Sequence, residues 1–321
     1  MSADKKTVSI RAVLARLAHW SFIILCLAYA VWGLDVKLFL SIAAGYKWTA
    51  IVIATALTLC ALVTLARRLY VLWQGAIPFR QILTGSIIGQ GTNNILPAKL
   101  GEAVKAYYLA RESNKPISSI LGLVFWERFF DLNALMLLGL VIVYSVSSPF
   151  SMGAFFLFVL AIWIALLAIR QWPAVARKMV QWLPIEVVRK FAQELVEQLL
   201  RRLEMSVVFR ASIWTALLWL IYVSQVAVIF LWAAQLEISL VAVLVIFVVA
   251  SIGMNLAGSP GGLGVFEAAI VASASWFGVG REEALAAAIV LHVIQFVPTT
   301  AIALILMSQV DISFKQAKEQ A

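Results

Sequence analysis

Glu127, Arg128 and Asp131 stand inside the apolar run "LVFWERFFDLNALMLL". On a helix, Glu127 and Asp131 are four residues apart and share a face, and Arg128 reaches Asp131 from three residues before it. An ionisable side chain at membrane depth is expensive, so it is paired or functional. Two chemistries fit these residues. One is an ion pair that locks helices together. The other is a site where Arg128 holds an anionic headgroup that Glu127 and Asp131 position. Proton relay is a third use.

A second concentration of polar residues lies in "NNILPAKLGEAVKAYYL". Asn94, Pro97, Lys99, Gly101, Glu102 and Lys105 fall within twelve positions of it. Placed on a helix, Lys99, Glu102, Lys105, Tyr108 and Arg111 form one stripe. Such a stripe is either an interfacial face whose Lys and Arg snorkel to phosphates or a basic path for a phosphate-bearing lipid.

The pattern recurs. Asn255, Pro260, Gly261, Gly262, Gly264 and Glu267 lie in "NLAGSPGGLGVFE", again with Asn, then Pro-x-x-Leu-Gly, then Glu. Each copy follows a small, Gly/Ser/Asn-rich run, "GSIIGQGTNN" or "SIGMNLAGS", and leads into a helix-forming stretch. Proline stops a helix from continuing through it, and backbone freed at membrane depth must be satisfied by protein or cavity water. Interrupted segments at matching places in two halves point to a transporter's binding site. A helix beginning after each proline aims an anion-favouring N-terminus at the break. The bland alternative is tight helix contact through Gly258-x-x-x-Gly262. Glu267 has no basic neighbour in sequence, so its partner must come from elsewhere in the fold, and Glu102 and Glu267 are expected to face one cavity. His292, in the last apolar run, reads first as a helix–helix hydrogen bond, and Pro298 as a kink.

Other chemistry finds little footing. "GSPGGLG" lacks the Gly-Lys-Ser/Thr ending of a P-loop, and "GLGVFE" lacks the third glycine and the βαβ setting of a dinucleotide site. Cys26 and Cys60 lie in apolar runs and read as buried thiols. His19 and His292 are far apart, and no Cys/His metal spacing is present. No cofactor and no catalytic residue is predicted.

The elements that must position these residues are helices in a bilayer. The chain is 63% hydrophobic and 13% charged, with a mean hydropathy of +0.97, where soluble domains carry about 25% charged residues. Its apolar runs are continuous and approach the roughly 20 residues that cross a membrane, rather than alternating as in a β-barrel. The predicted fold is all-α and polytopic, with seven or eight hydrophobic segments in two pseudo-repeated halves containing broken or re-entrant helices. Predicted segments are 17–34, 48–66, 117–146, 152–169, 211–234, 238–256, 268–279 and 284–307. Ala28-Tyr29-Ala30 fits a cleavage pattern, but the first run is long for a signal peptide and reads as an anchor.

The net charge of +9 sits beside apolar runs and therefore points to headgroups, not nucleic acid. Lys5, Lys6, Arg11 and Arg16 precede the first run, Arg67, Arg68 and Arg80 follow the second, and Arg177, Lys178, Arg189, Lys190, Arg201 and Arg202 fill 170–210. The positive-inside rule places the N-terminus and 170–210 in the cytoplasm, with the C-terminus on the same side. Val188, Phe191, Leu195, Leu199 and Leu203 give Pro173–Met205 an amphipathic pattern, read as a helix on the membrane surface or one that docks a partner. It divides one integral-membrane domain into 1–169, the linker 170–210, and 211–321.

"NNILPAKLGEAVKAYYL", "ERFFD" and "SPGGLGVFEA", in this order and flanked by spans, resemble the lysylphosphatidylglycerol synthase transmembrane-region family, also called flippase-like. The resemblance covers most of the chain and implies a lipid substrate. In multidomain members this region precedes a soluble aminoacyl-transferring domain, for which the present sequence has no counterpart. The resulting expectation is a flippase- or scramblase-like protein of the bacterial inner membrane that passes anionic or lipid-linked headgroups through the polar break. Alternatives are a membrane-embedded lipid-modifying transferase or a scaffold for a lipid-pathway enzyme. Membrane lipids are the expected partners, with a partner enzyme or a second copy also compatible.

Overall fold

Helices make up all the regular structure among the described residues of the computed structural model. Those residues are 21 to 310, except 22, 76, 147–152, 187, 190–191, 194–195, 198–203 and 257. The N-terminal basic cluster, the 147–151 turn, the C-terminal tail and much of the 185–203 amphipathic pattern lie outside them.

In chain order the helices are α1 (Ile23–Val31), α2 (Val36–Ala44), α3 (Trp48–Leu72), α4 (Phe79–Ile95), α5 (Gly101–Ser113), α6 (Ile117–Val146), α7 (Gly153–Gln171), α8 (Pro173–Gln181), α9 (Met205–Ala227), α10 (Leu240–Leu256), α11 (Val265–Ser275) and α12 (Arg281–Gln309). A π-helical turn, Val228–Ala233, extends α9. By length and composition, α3, α9 with its extension, and α12 can each cross a membrane. The pairs α1–α2 and α7–α8 bend by 82° and 99° at their breaks, so each is a broken span or a re-entrant loop. α6, at 30 residues, is the longest helix and carries Glu127, Arg128 and Asp131 in its first half. The protein is a polytopic all-α membrane protein.

Each run of small polar residues ends in a short 3₁₀ turn. Pro97–Lys99 separates α4 from α5, and Pro260–Gly262 separates α10 from α11. In both, the two residues after the proline take a left-handed step, and the chains diverge afterwards at Leu100 and Leu263. Ala98 and Lys99 have φ of 56° and 55°, and Gly261 and Gly262 have φ of 59° and 80°. Glycine adopts that left-handed region freely, whereas Ala98 and Lys99 must be held there by their surroundings. Neither Gly258 nor Gly262 is on an α-helix, so the pair is not a helix-contact motif. Glycine spacing resembles one, but the helix has already ended at Leu256.

α4 folds back on α5, and α10 on α11, as two hairpins. One hydrophobic core surrounds each. Leu69, Ile82, Ile88, Leu109, Leu123 and Trp126 belong to the first, and Phe230, Ile246, Ile270, Leu285 and Leu291 to the second. α3 and α9 run through both cores. They are antiparallel, because Lys47 N–H donates to the Ala233 carbonyl at 3.2 Å while Gln225 Nε2 donates to Thr58 Oγ1 at 2.7 Å. α4 and α12 are antiparallel too, since Asn94 Nδ2 donates to Thr300 Oγ1 at 2.9 Å and Gly91 faces Ala303. A helix, a broken hairpin and a helix thus occur twice, as α3 to α6 and as α9 to α12, with α3 opposed to α9.

Two expectations need correction. α3 continues past Ala66 to Leu72, so Arg68 is part of the helix and is 0% exposed. An arginine tolerates that position because α6 supplies its counter-ions. Cys60 is exposed and Cys26 partly so, because apolar helices turn apolar faces outward to lipid as well as inward. α12 runs from Arg281 to Gln309 with Pro298 inside it.

Candidate functional site

The two turns meet. Ala98 N–H donates to the Gly258 carbonyl at 2.7 Å, which satisfies one backbone donor freed by the break. Within the turns, Leu100 N–H reaches Pro97 O at 3.3 Å, Gly262 N–H reaches Ser259 O at 3.1 Å and Leu263 N–H reaches Pro260 O at 3.1 Å. Irregular backbone at membrane depth needs such partners. Lys99 Nζ bonds Asn255 Oδ1 at 2.5 Å across the junction. Asn94, one turn before Pro97, donates from Nδ2 to Thr300 Oγ1 and to the Phe296 carbonyl at 3.4 Å. Lys99, Asn94, Asn255, Pro97, Pro260, Gly261 and Gly262 are therefore collected at one place.

Gly101 fixes how closely the first hairpin closes. A Cβ there would lie 2.1 Å from the Gly89 carbonyl oxygen and 2.6 Å from Asn93 N. That close approach lets Lys105 reach inward from α5, and it ends the stripe expected on this helix. Lys99 belongs to the turn, and Lys105 and Tyr108 are buried at 4% and 5% exposure. They do not form an interfacial face.

From Lys105 a network of ion pairs extends through three helices. Lys105 Nζ stands 2.7 Å from Glu127 Oε2 and 2.7 Å from Glu102 Oε2. Arg68 of α3 bonds Asp131 at 2.5 and 3.3 Å and lies 4.0 Å from Glu127. Trp219 Nε1 donates to Asp131 Oδ1 at 3.2 Å. Arg128 pairs with Glu102 and stands 3.6 Å from Asp131. Arg68, Lys105 and Arg128 thus balance Glu102, Glu127 and Asp131. Burying charges is tolerable only when they are paired in this way.

The network has a closed side and an open side. The side chains of Arg68, Lys105 and Glu127 are 1%, 5% and 2% exposed, whereas Arg128 is 45% exposed. Half-buried Lys99 lies on the same open side, close enough to Arg128 and Glu102 to feel their charges. Its own bond goes to a neutral amide, so the cluster carries excess positive charge at its open edge. Arg68 was the functional-looking residue that sequence reasoning passed over. Its place after the second apolar run made it look like a loop cation, and only the carboxylates of α6 mark it otherwise.

The second hairpin carries a smaller counterpart. Glu267 caps α11 by accepting from Gly264 N–H at 2.7 Å. Its other oxygen faces His292 Nδ1 at 2.6 Å. His292 is thus the partner that sequence separation concealed, and it bridges two helices. Gly264 packs against Ile23 and Leu27 of α1. Among the described residues no ion pair or hydrogen bond joins Glu267 to the network around Glu102. The two pairs are related in another way. Glu102 and Arg128 are 26 residues apart, and Glu267 and His292 are 25 apart. In each, a carboxylate in the first turn of a hairpin's second helix meets a cationic type on the following long helix.

Comparison with known proteins gives two findings. A 52-residue stretch is 42% identical to the UPF0104 membrane protein MJ1078 of Methanocaldococcus jannaschii, covering 16% of this chain and 22% of that protein. Residues 9–303 match the family described as the lysylphosphatidylglycerol synthase TM region. That span includes both broken hairpins, the ionic network and the Glu267–His292 pair, so the chain belongs to the lysylphosphatidylglycerol synthase TM-region family.

Proposed function

We propose that the protein translocates lipids with anionic or lipid-linked headgroups, the headgroup passing the junction of the two broken hairpins while the apolar tails remain in the bilayer. The observation that carries this reading is the open edge of the ionic network. Arg128 is half exposed and Lys99 half buried beside it. A guanidinium presents a planar fork suited to a phosphate, and Lys99 adds a point charge. The closed side has a different role. Arg68, Lys105, Glu127 and Asp131 hold α3, α5 and α6 together, so the locking and headgroup readings apply to different residues of one cluster.

The family and the relative agree with a membrane protein. The lipid step, its setting in a bacterial inner membrane and a cytoplasmic N-terminus belong to this proposal. In the same reading, α8 with Arg177 and Lys178 lies on the inner surface, where cations meet anionic headgroups.

Native mass spectrometry from nanodiscs of phosphatidylglycerol or phosphatidylcholine tests the binding step. Phosphatidylglycerol should be retained in preference to phosphatidylcholine, and Lys99→Gln with Arg128→Gln should abolish the preference. Equal retention of both lipids by the wild type argues against a headgroup site. A new covalent lipid product would argue for a transferase.

A further inference from the structure

The pseudo-equivalent pairs differ in one chemical respect. Arg128 holds its proton at any accessible pH. The side chain at the matching place, His292, is an imidazole, which has two ring nitrogens that can each bind or release a proton. We propose that Glu267–His292 is a proton-binding site that couples lipid movement to protons. This rests on the translocation reading, and it names the driving ion for which that reading has no source.

Geometry supports the assignment in three ways. First, both oxygens of Glu267 are engaged, one by Gly264 N–H and one by His292 Nδ1. When Glu267 is ionised it can only accept, so in that state Nδ1 carries the hydrogen and Nε2 is the atom open to a further proton. Proton uptake turns a neutral imidazole beside a carboxylate into an ion pair, and release to water restores it. Second, a cavity of about 30 Å³ borders His292 and is lined also by Asn94, Met254, Gly261, Phe266, Gln295 and Phe296. Asn94, His292 and Gln295 supply polar groups to its otherwise apolar wall, and it is large enough for the one water molecule that proton exchange requires. Third, the same cavity touches the junction. Asn94 precedes the first turn and bonds α12, and Gly261 lies in the second turn. A charge gained on His292 therefore acts on both hairpins.

Few other charges compete. From the elements packed against α12, Glu267 of α11 is the group that faces His292. α10 has no charged residue, and Arg80 of α4 stands at the end remote from Asn94. On α3, Arg67 stacks over Phe79 and Arg68 pairs with Asp131. Lys37 of α2 and the Arg281, Glu282 and Glu283 of α12 lie toward the beginning of that helix, the last of these bonded to Gly280. Lys99 is bonded to Asn255.

The chain has two histidines, so His19→Gln leaves His292 as the single one. Protein of that sequence, labelled with ¹⁵N-histidine and held in lipid nanodiscs, is titrated from pH 5 to 8 by NMR. The expected result is a change of imidazole protonation within that range, altered by Glu267→Gln. An imidazole that does not change protonation in that range overturns the proton site, whatever the lipid does. Wild-type liposomes containing a trapped pH dye and a fluorescent phosphatidylglycerol test the coupling. Lipid movement should carry protons, and a one-unit pH gradient should bias the leaflets several-fold, with about tenfold as the ceiling for one proton. Exchange that is indifferent to the gradient overturns the coupling and leaves translocation standing. Absence of exchange with every lipid overturns translocation and coupling together, while the NMR titration still decides the site.

Discussion

Ala98 donates its backbone N–H to the Gly258 carbonyl at 2.7 Å, joining the turn of the first broken hairpin to the approach to the second. Each break removes helical hydrogen bonds in a setting where water is scarce. Meeting at one junction lets each supply what the other lacks, and it gathers the polar side chains of Lys99, Asn94 and Asn255 there.

Arg68 should be the most sensitive structural position in the network. Its side chain is 1% exposed and bonds Asp131 through both terminal nitrogens. Arg68→Ala leaves buried carboxylates uncompensated, a change that costs about 3–5 kcal/mol. Thermal unfolding in detergent should show a large loss for Arg68→Ala and a smaller one for Arg68→Lys, which keeps the charge and loses the fork. Equal, small effects would contradict the assignment of Arg68 as a lock.

Closure of the first hairpin depends on Gly101. A methyl group there would meet the Gly89 carbonyl oxygen at 2.1 Å, so Gly101→Ala must push α4 and α5 apart. Overpacking of this kind destabilises by about 1–3 kcal/mol. The same thermal measurement should register it, and a wild-type melting curve would mean the hairpin is looser than described.

Much of this arrangement was legible in the sequence. The recurrence of Asn, Pro-x-x-Leu-Gly and Glu located both breaks, because proline and glycine act on the backbone locally. The helices on either side of Pro97 were harder to read. α4 is built of Gly, Ser, Thr, Gln and Asn as much as of apolar residues, so hydropathy alone does not mark it. Arg68 and the Glu267–His292 pair were hidden for another reason. Each is defined by a partner at least 25 residues away, and periodicity carries no information about which helices meet. Lys105 resembled a snorkelling cation because its burial depends on Gly89 and Gly101 approaching closely.

Asn94 should matter moderately. Its amide links α4 to Thr300 and to the Phe296 carbonyl on α12. Interhelical hydrogen bonds in membranes average about 0.6 kcal/mol and reach about 1.7. Asn94→Ala should fall within that range by thermal unfolding, well short of Arg68→Ala. A loss as large as that of Arg68→Ala would move the lock from the ionic network to the junction.

The open edge should separate transport from stability. Arg128 is 45% exposed, and Glu102 keeps Lys105 as a partner when Arg128 is removed. Arg128→Gln should therefore leave the unfolding temperature close to wild type while lowering anionic-lipid exchange about tenfold or more, the worth of one charge-assisted hydrogen bond. Paired losses of stability and exchange would return Arg128 to a purely structural role.

Leaflet exchange of fluorescent phosphatidylglycerol in liposomes, read by dithionite quenching, bears on the whole account. Quenching of empty vesicles stops at the outer leaflet. Vesicles containing the wild-type protein should lose inner-leaflet fluorescence as well, more slowly for phosphatidylcholine, and vesicles with Lys99→Gln and Arg128→Gln should resemble empty ones. Protein-containing vesicles indistinguishable from empty ones for every anionic lipid, with and without a pH gradient, would contradict it.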